Sequence, residues 1–503
     1  MMLSSLLDGI ASVSTEQDCA ITSISLDSRE AVEGSLFVAL KGTQQHGINY
    51  ATEVAKSHGA AIIWESDDTA EIVDIELPQI EVVHLRDFLG EIANRFYQYP
   101  SKSLDVIGIT GTDGKTSVSH FVSQAMDNCA VMGTLGIGLL NNLQKATHTT
   151  PDVLNTHKNI AVMRSNEIST LAMEVSSHAL DQARVAGVEF DVAVLTNLTR
   201  DHLDYHITVE AYAEAKAKLF SWPSLKAVVL NADDAFGQKI ANQILNHKHS
   251  IENTNERSQV QVIPYSVNKI SASDSDISVN TLVATEAVFN AKGITAKIQY
   301  GEQTADLMVS VLGRFNLSNL LAALASMMAL GDSLKSAAAK LSKVHTVAGR
   351  MEKVSDADVL AVIDYAHTPN ALETVLKALR EHTKNQLICV FGCGGDRDSG
   401  KRPLMAKIAE ENADVVIVTD DNPRSESPES IVVDIMKGFD QPGSVIVEHD
   451  RAIAIGKALK NAQSGDTVLI AGKGHENVQI LATGSIPFSD REQANKILQE
   501  LAA

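Results

Sequence analysis

Positive charge is what this sequence is shortest of. Its 503 residues carry 42 Lys and Arg against 63 Asp and Glu, a formal net charge of −21. Nonspecific nucleic-acid binding works by neutralising phosphates with Lys and Arg, so this balance argues against that class. A small anionic ligand is not, since local geometry can concentrate a few cations. Long apolar runs are missing as well: the longest largely apolar stretch, 320–330, suits a buried helix and is far too short for a membrane span. The N-terminus has Asp8 and no leading basic cluster, unlike a secretory signal. Cysteine is scarce, and the four present (Cys19, Cys129, Cys389, Cys393) have neither zinc-site spacing nor disulfide density. A reducing cytoplasm is the expected location. What remains is ordinary for a globular protein, 44% apolar and 21% charged, in a chain long enough for about three domains.

The most informative stretch is Asp105-Val-Ile-Gly-Ile-Thr-Gly-Thr-Asp-Gly-Lys-Thr116. The apolar run 104–109 reads as a buried parallel strand. Gly111 and Gly114 permit a tight turn, and Lys115-Thr116 opens a helical pattern that runs to residue 126. Strand, glycine turn and helix N-terminus predict a phosphate cradle, with inward N–H groups, a dipole favouring anions, and Lys115 as a mobile cation. The Thr116 hydroxyl can reach Mg²⁺, as in P-loops. The spacing departs from the general P-loop pattern, because Ile109 stands five before Gly114 and the other glycines are Gly108 and Gly111. The plainer alternative is an ordinary strand-to-helix turn with a surface lysine. Gly-Lys-Thr after a strand favours a nucleoside triphosphate.

Residues 1–100 read as a compact α/β unit with strands 36–40 and 60–64, a helix over 50–58, and polar turns at 25–29 and 41–46. Over 101–342 strands alternate with helices, which predicts a mainly parallel sheet with crossover helices. Glu174 interrupts the apolar strand 170–175, and His202 follows the strand 192–196. Open α/β sheets hold ligands beyond their strand C-termini, which makes Glu174 and His202 candidate Mg²⁺ ligands, direct or through water. A carboxylate inside an apolar strand needs a partner; for His202, Asp201 or Asp204 could instead supply a simple hydrogen bond. Alternation at Ile294, Ala296, Ile298 and Tyr300 suggests an antiparallel ribbon within 255–312. The segment 313–319 reads as the cap of a helix over 320–330. Residues 343–503 carry strands at 359–363, 387–391, 415–419, 445–447 and 467–471 separated by helices, a Rossmann-like three-layer pattern. Polar, glycine-rich loops follow four of them, at 364–369, 392–398, 420–424 and 472–476, and their convergence on one sheet edge predicts a site. Gly392 to Gly395 lacks the third spacing of a dinucleotide fingerprint and is rejected as one.

Nine segments in this order, "GITGTDGKT", "MEVSSHAL", "TNLTRDHLDYH", "GRFNLSN", "GRME", "DYAHTP", "GCGGDRD", "DDNPR" and "AGKGHE", resemble the Mur ligases of peptidoglycan synthesis along essentially the whole chain. The resemblance is nearest to the diaminopimelate-adding type. It departs at Asp113, where many relatives have asparagine. It implies three domains: a small N-terminal α/β domain for UDP, a central P-loop-like ATPase domain, and a mobile Rossmann-like C-terminal domain. By similarity, Leu26, Ser28, Thr43, Gln44 and Gln45 would hold UDP, and Thr149, Thr150, Ser176, Gln182 and Arg184 the sugar-peptide. Gly111, Thr112, Asp113, Gly114, Lys115, Thr116 and Ser117 would bind ATP, helped across a domain gap by Asn316, Arg350 and Asp364. Thr116, Glu174, His202 and Lys216, the last as a carbamate, would hold Mg²⁺, with Lys115 the remaining catalytic group. Arg397, Asp421, Asn422, Pro423, Arg424, Gly472 and Glu476 would bind meso-2,6-diaminopimelate. From pattern alone Lys216 is a solvated helix lysine and Arg424 a surface arginine paired with Asp420 or Glu426.

The implied reaction joins the amino acid to UDP-N-acetylmuramoyl-L-alanyl-D-glutamate through an acyl phosphate formed from ATP. A monomer without nucleic-acid or membrane partners is expected. Three rivals stand beside this reading: a kinase that stops at phosphorylation, an L-lysine-adding relative that differs in the amino-acid loop, and a non-catalytic nucleotide-binding regulator lacking metal ligands.

Overall fold

Short buried strands alternating with half-buried helices build the chain. The computed structural model describes residues 1–503 except 43–44, 68–71, 252–259, 269–280, 356–357 and 503, and the side chains of 247–251 and 502 also lie outside the described set. Two units result, the first made of residues 1–119, 126–230 and 234–263, the second of 120–125, 231–233 and 264–503.

The first unit opens with four parallel strands in sequential order, Ser23–Ser25, Ser35–Ala39, Ala61–Glu65 and Gln79–Val82. Helix Leu85–Phe96 lays Leu89, Ile92 and Ala93 against the same core as Leu36, Val38 and Ile63. The helix expected over 50–58 is shorter, Ala51–Lys56, because a 3₁₀ turn at Gly47–Tyr50 takes up its start. Part of a second sheet follows, with the order Ala227–Asn231, Val192–Leu195, Asp105–Thr110, Thr170–Glu174, Cys129–Gly133 and Gly136–Gly138. Its first five strands are parallel and the last is antiparallel. Strand Asp105–Thr110 has a parallel neighbour on each side and is buried from Val106 onward, which accounts for its unbroken apolar run. The register sets Ile109 beside Glu174 and Thr110 beside Leu195. The two neighbouring strands therefore end where the glycine turn begins.

In the second unit Leu282–Asn290, Gly293–Tyr300 and Gln303–Val309 form the antiparallel ribbon that the alternation predicts. The next helix differs from expectation: it is Arg314–Ala329, so Asn316 and Asn319 are helical residues and not part of a cap. Nothing in 314–319 breaks a helix, and the asparagines are satisfied locally, Asn316 Nδ2 donating to Leu312 O and Asn319 Nδ2 to Asn316 Oδ1. A six-stranded sheet then has the order Glu352–Lys353, Leu360–Asp364, Thr467–Ala471, Leu387–Phe391, Val415–Val418 and Ile446–Val447. All neighbours are parallel except the first pair. Val362, Cys389 and Leu469 pack into one core and Ile363, Val390 and Ile470 into another, so both faces are covered as a three-layer arrangement requires. The hairpin Val478–Leu481 with Gly484–Pro487 is an addition that the sequence pattern does not predict. Among the described residues no helix is long and apolar enough to cross a membrane.

Candidate active site

The glycine turn is shaped by what it must avoid. Gly111 has φ +147°, and a Cβ there would lie 1.8 Å from Thr196 Oγ1. The turn is braced from the strand next door: Thr112 N donates to Asn197 O and Asp113 N to Asn197 Oδ1, each at 3.0 Å, while Thr196 Oγ1 donates to Asp113 O at 2.6 Å. Asp113 is exposed and is held in the turn by its backbone N and O. Gly114 has φ +85°, and helix Lys115–Ala125 starts directly after it with the orphan N–H groups of a first turn, Ser117 included. Lys115 Nζ folds back to donate to Gly111 O (2.9 Å) and Thr112 O (2.8 Å). Enclosure by the loop pushes its pKa below the usual lysine value, against the opposing charges of Glu174 and Asp113.

Glu174, 1% exposed, ends the adjacent strand. Thr116 Oγ1 and Thr134 N donate to its Oε1, both at 3.0 Å, and Thr134 Oγ1 to Oε2 at 3.1 Å. Gly133 makes room for it, since a Cβ there would meet Oε1 at 2.1 Å. Burial raises the carboxyl's pKa, and Lys115 and the threonine donors pull it back. Around it stand the residues expected to grip a sugar-peptide. Thr149 Oγ1 pairs with Thr134 Oγ1, Thr150 Oγ1 donates to Glu174 O, and Ser176 Oγ caps helix Ser177–Asp181 through Ala179 N. Arg184 donates to Thr150 O and to Gln182 Oε1, and Gln182 Nε2 donates to Tyr205 OH. The structure thus brings these five side chains into one network with Glu174. Leu26 and Ser28 follow the first strand of the N-terminal sheet and Gln45 the second, where Gln45 bonds Tyr50 OH; Thr43 and Gln44 lie outside the described residues.

Lys216 corrects the pattern reading of a solvated lysine. On helix Val209–Ala217 it shares the inner face with Tyr212 and Ala215, is 1% exposed, and its Nζ donates to Gly111 O at 2.8 Å. Burial, with Lys115 nearby, lowers its pKa to about 6. The Tyr212 ring lies 4.4 Å from Nζ and belongs to a ring cluster that joins His178, His202, Tyr205 and His206. His202 has φ +51° and is half-exposed, with Nε2 3.5 Å from Asp201 Oδ2. Among the described residues no group of three or more His, Cys, Asp and Glu stands ready-made for a metal. A hydroxyl and a carboxylate 3.0 Å apart at a phosphate cradle nevertheless fit Mg²⁺, which takes one or two carboxylates and completes its shell with water and substrate phosphates.

In the second unit Asn316 is buried and Arg350 is exposed with its guanidinium over the Tyr365 ring. Asp364 accepts from Met351 N and Ala366 N, each at 2.7 Å, and burial raises its pKa. The four loops after the sheet strands do converge. They enclose a cavity of about 340 Å³ lined by Tyr365, Gly392, Arg397, Asp421, Asn422, Arg424, Gly472 and Glu476 among others. Pro423 is not in the wall; it is buried behind it, with its carbonyl 1.9 Å from where a Gly395 Cβ would be. Arg424 is not the paired surface arginine of the pattern reading. Its candidate partners are engaged elsewhere, Glu426 by Arg402 and Asp420 by His449. Arg424 Nη1 donates only to the carbonyls of Gly395 (2.8 Å) and Asn422 (3.4 Å), and no described carboxylate pairs with it. Sequence reasoning missed Thr134 and Lys473, each of which directly follows or closely follows the C-terminal end of a sheet strand.

Parallel sheets, a glycine turn at a helix N-terminus and a polar cavity ringed by loops at the strand ends define the class: a multidomain α/β protein. The chain belongs to the Mur ligase family. Three family descriptions match it in turn: the Mur ligase family catalytic domain over residues 20–97, the Mur ligase middle domain over 109–327, and the Mur ligase glutamate ligase domain over 349–474. It is 45% identical over 488 residues, 96% of each chain, to the UDP-N-acetylmuramoyl-L-alanyl-D-glutamate–2,6-diaminopimelate ligase of Pseudomonas aeruginosa. To the enzyme of that name from Coxiella burnetii it is 44% identical over 503 residues, 99% of each chain. A solved structure of a ligase with the same name matches with a TM-score of 0.75 and 35% identity over 96% of both chains.

Proposed function

We propose that this chain is an ATP-dependent amide ligase that adds meso-2,6-diaminopimelate to the D-glutamyl γ-carboxylate of UDP-N-acetylmuramoyl-L-alanyl-D-glutamate in peptidoglycan precursor synthesis. The γ-carboxylate attacks the γ-phosphate of ATP, giving an acyl phosphate and ADP. An amine of diaminopimelate then attacks that carbonyl and expels phosphate. Such phosphoryl transfer needs positioning and charge neutralisation more than a covalent nucleophile. The turn from Gly111 to Ser117 aims N–H groups at the phosphates, and Lys115 turns from its carbonyls to them. Asn316, Arg350 and Asp364 complete nucleotide binding. Thr116 and Glu174, joined by His202 and by Lys216 as a carbamate, would hold Mg²⁺, and the ion would supply neutralisation of phosphate charge. The network of Thr149, Thr150, Ser176, Gln182 and Arg184 orients the sugar-peptide, and Leu26, Ser28, Thr43, Gln44 and Gln45 take UDP. Domains at 1–100, 101–342 and 343–503, a monomeric state and a cytoplasmic location belong to the same reading.

One observation carries the choice of amino acid: a guanidinium at the cavity wall, Arg424, without a carboxylate partner among the described residues. Its planar fork matches a carboxylate, and diaminopimelate has one more of these than lysine. A site built for a polar group that is then missing discriminates by about 10⁴. Measured kcat/KM for diaminopimelate should exceed that for L-lysine by that order; comparable values would overturn the assignment. ADP release should also require the amino acid, which separates a ligase from a kinase.

A further inference from the structure

The amino-acid reading gives no role to Lys473, a buried cation beside the cavity. Lys473 is 0% exposed and lies beneath the cavity, not in its wall. Its Nζ donates to Asn422 Oδ1 and to Glu476 Oε2, both at 3.0 Å. Asn422 Nδ2 donates to the same Oε2 at 2.9 Å, and Ile480 N donates to Asn422 Oδ1 at 2.9 Å. Two donors fill the lone pairs of Oδ1, so Asn422 can meet a ligand only as a donor. Glu476 is tied from below through one oxygen, while its Oε1 has no partner among the described residues.

We propose that Lys473 is a positioning residue for amino-acid selection, acting through Asn422 and Glu476 without touching the substrate. It fixes the asparagine as a donor for a carboxylate and leaves one Glu476 oxygen for an ammonium. This rests on the diaminopimelate reading and deepens it. Charge balance gives the second argument: a desolvated cation must be paired, and pairing Lys473 with Glu476 keeps that carboxylate ionised in its half-buried place. Burial opposes ionisation of Glu476, but the bonds from Asn422 and Lys473 and the lysine's charge outweigh it and hold the pKa below the usual value. The other titratable or charged groups facing Glu476 are His475, Asp421, Tyr365 and Arg451.

The test is steady-state kinetics of the full chain as a function of pH for the wild type, Lys473→Met, Glu476→Gln and the double variant. Lys473→Met keeps length and removes charge and donors. KM for diaminopimelate should rise about tenfold at neutral pH, as for a lost charged hydrogen bond, with KM for ATP unchanged. KM should also rise on acidification as Glu476 protonates, and in Lys473→Met that rise should begin at higher pH. The double variant should match Glu476→Gln alone. An unchanged KM, additive effects in the double variant, or an unmoved acid limb accompanied by a lower Tm would overturn the proposal and leave Lys473 a folding residue. Should Lys473→Met not fold, Lys473→Arg keeps charge and donors and must retain the wild-type acid limb; a shifted limb there overturns the idea equally. A wild type inactive with diaminopimelate would instead sink the functional reading itself.

Discussion

A lysine held neutral inside a folded protein is a source of both instability and chemistry, and Lys216 shows both. Its pKa of about 6 lies far below the ordinary 10.5. Between those values the unfolded chain holds a proton that the folded chain does not, so stability rises with pH across that window. Lys216→Met should therefore be more stable than the wild type near the acid end, with the gap narrowing toward alkaline pH. Thermal melts of both proteins at several pH values check this; a gap independent of pH would show that Lys216 is not held neutral. Neutral amines are also the form that adds CO₂. Lys216→Ala should be inactive and partly rescued by acetate, which can stand in for a carbamate; an active variant would remove the carbamate from the scheme.

At the level of one element, the turn 110–114 derives its shape from a neighbour. Thr196 and Asn197, at the end of the adjacent strand, bond to residues 112 and 113 and leave no space for a side chain at 111. Gly111→Ala must either displace Thr196 or abandon φ +147°, a conformation close to glycine's own. Strain of about 1–3 kcal/mol falls on the loop that would hold the phosphates. ADP binding measured by calorimetry should weaken by about 10- to 100-fold, while the far-UV spectrum stays native. Unchanged affinity would mean that the turn is not the phosphate cradle.

Over the whole molecule, the glycine turn belongs to the first unit and the polar cavity to the second. Among the described residues Arg424 donates only to backbone carbonyls of its own unit. Arg424→Ala should thus lose most diaminopimelate-dependent turnover and leave nucleotide binding as it was. Titrating ADP into that variant, beside its turnover assay, tests the point; parallel losses of both would show that Arg424 supports the fold and not the substrate.

Much of this was legible in the residues themselves. The run 105–116 declared a strand, a glycine turn and a helix because burial and backbone conformation there are local demands, met by Val, Ile and Gly. Both predicted parallel sheets follow from strands alternating with helices, and Glu174 stood out as a charge in an apolar strand. Burial of a lysine has no such local mark: Lys216 sits in the polar-looking helix Val209–Ala217, and only packing against the Gly111 carbonyl makes it a buried, neutral amine. Arg424 has acidic neighbours in sequence at 420 and 426, yet the fold gives those to His449 and Arg402 and turns the arginine toward carbonyls. Lys473 is the same lesson from the other side, a lysine between two glycines whose partners lie at 422 and 476. The succession of strands and helices along the chain was legible in the sequence; which strands became neighbours, which charges meet, and which are left over for a ligand were decided only when the fold placed distant segments side by side.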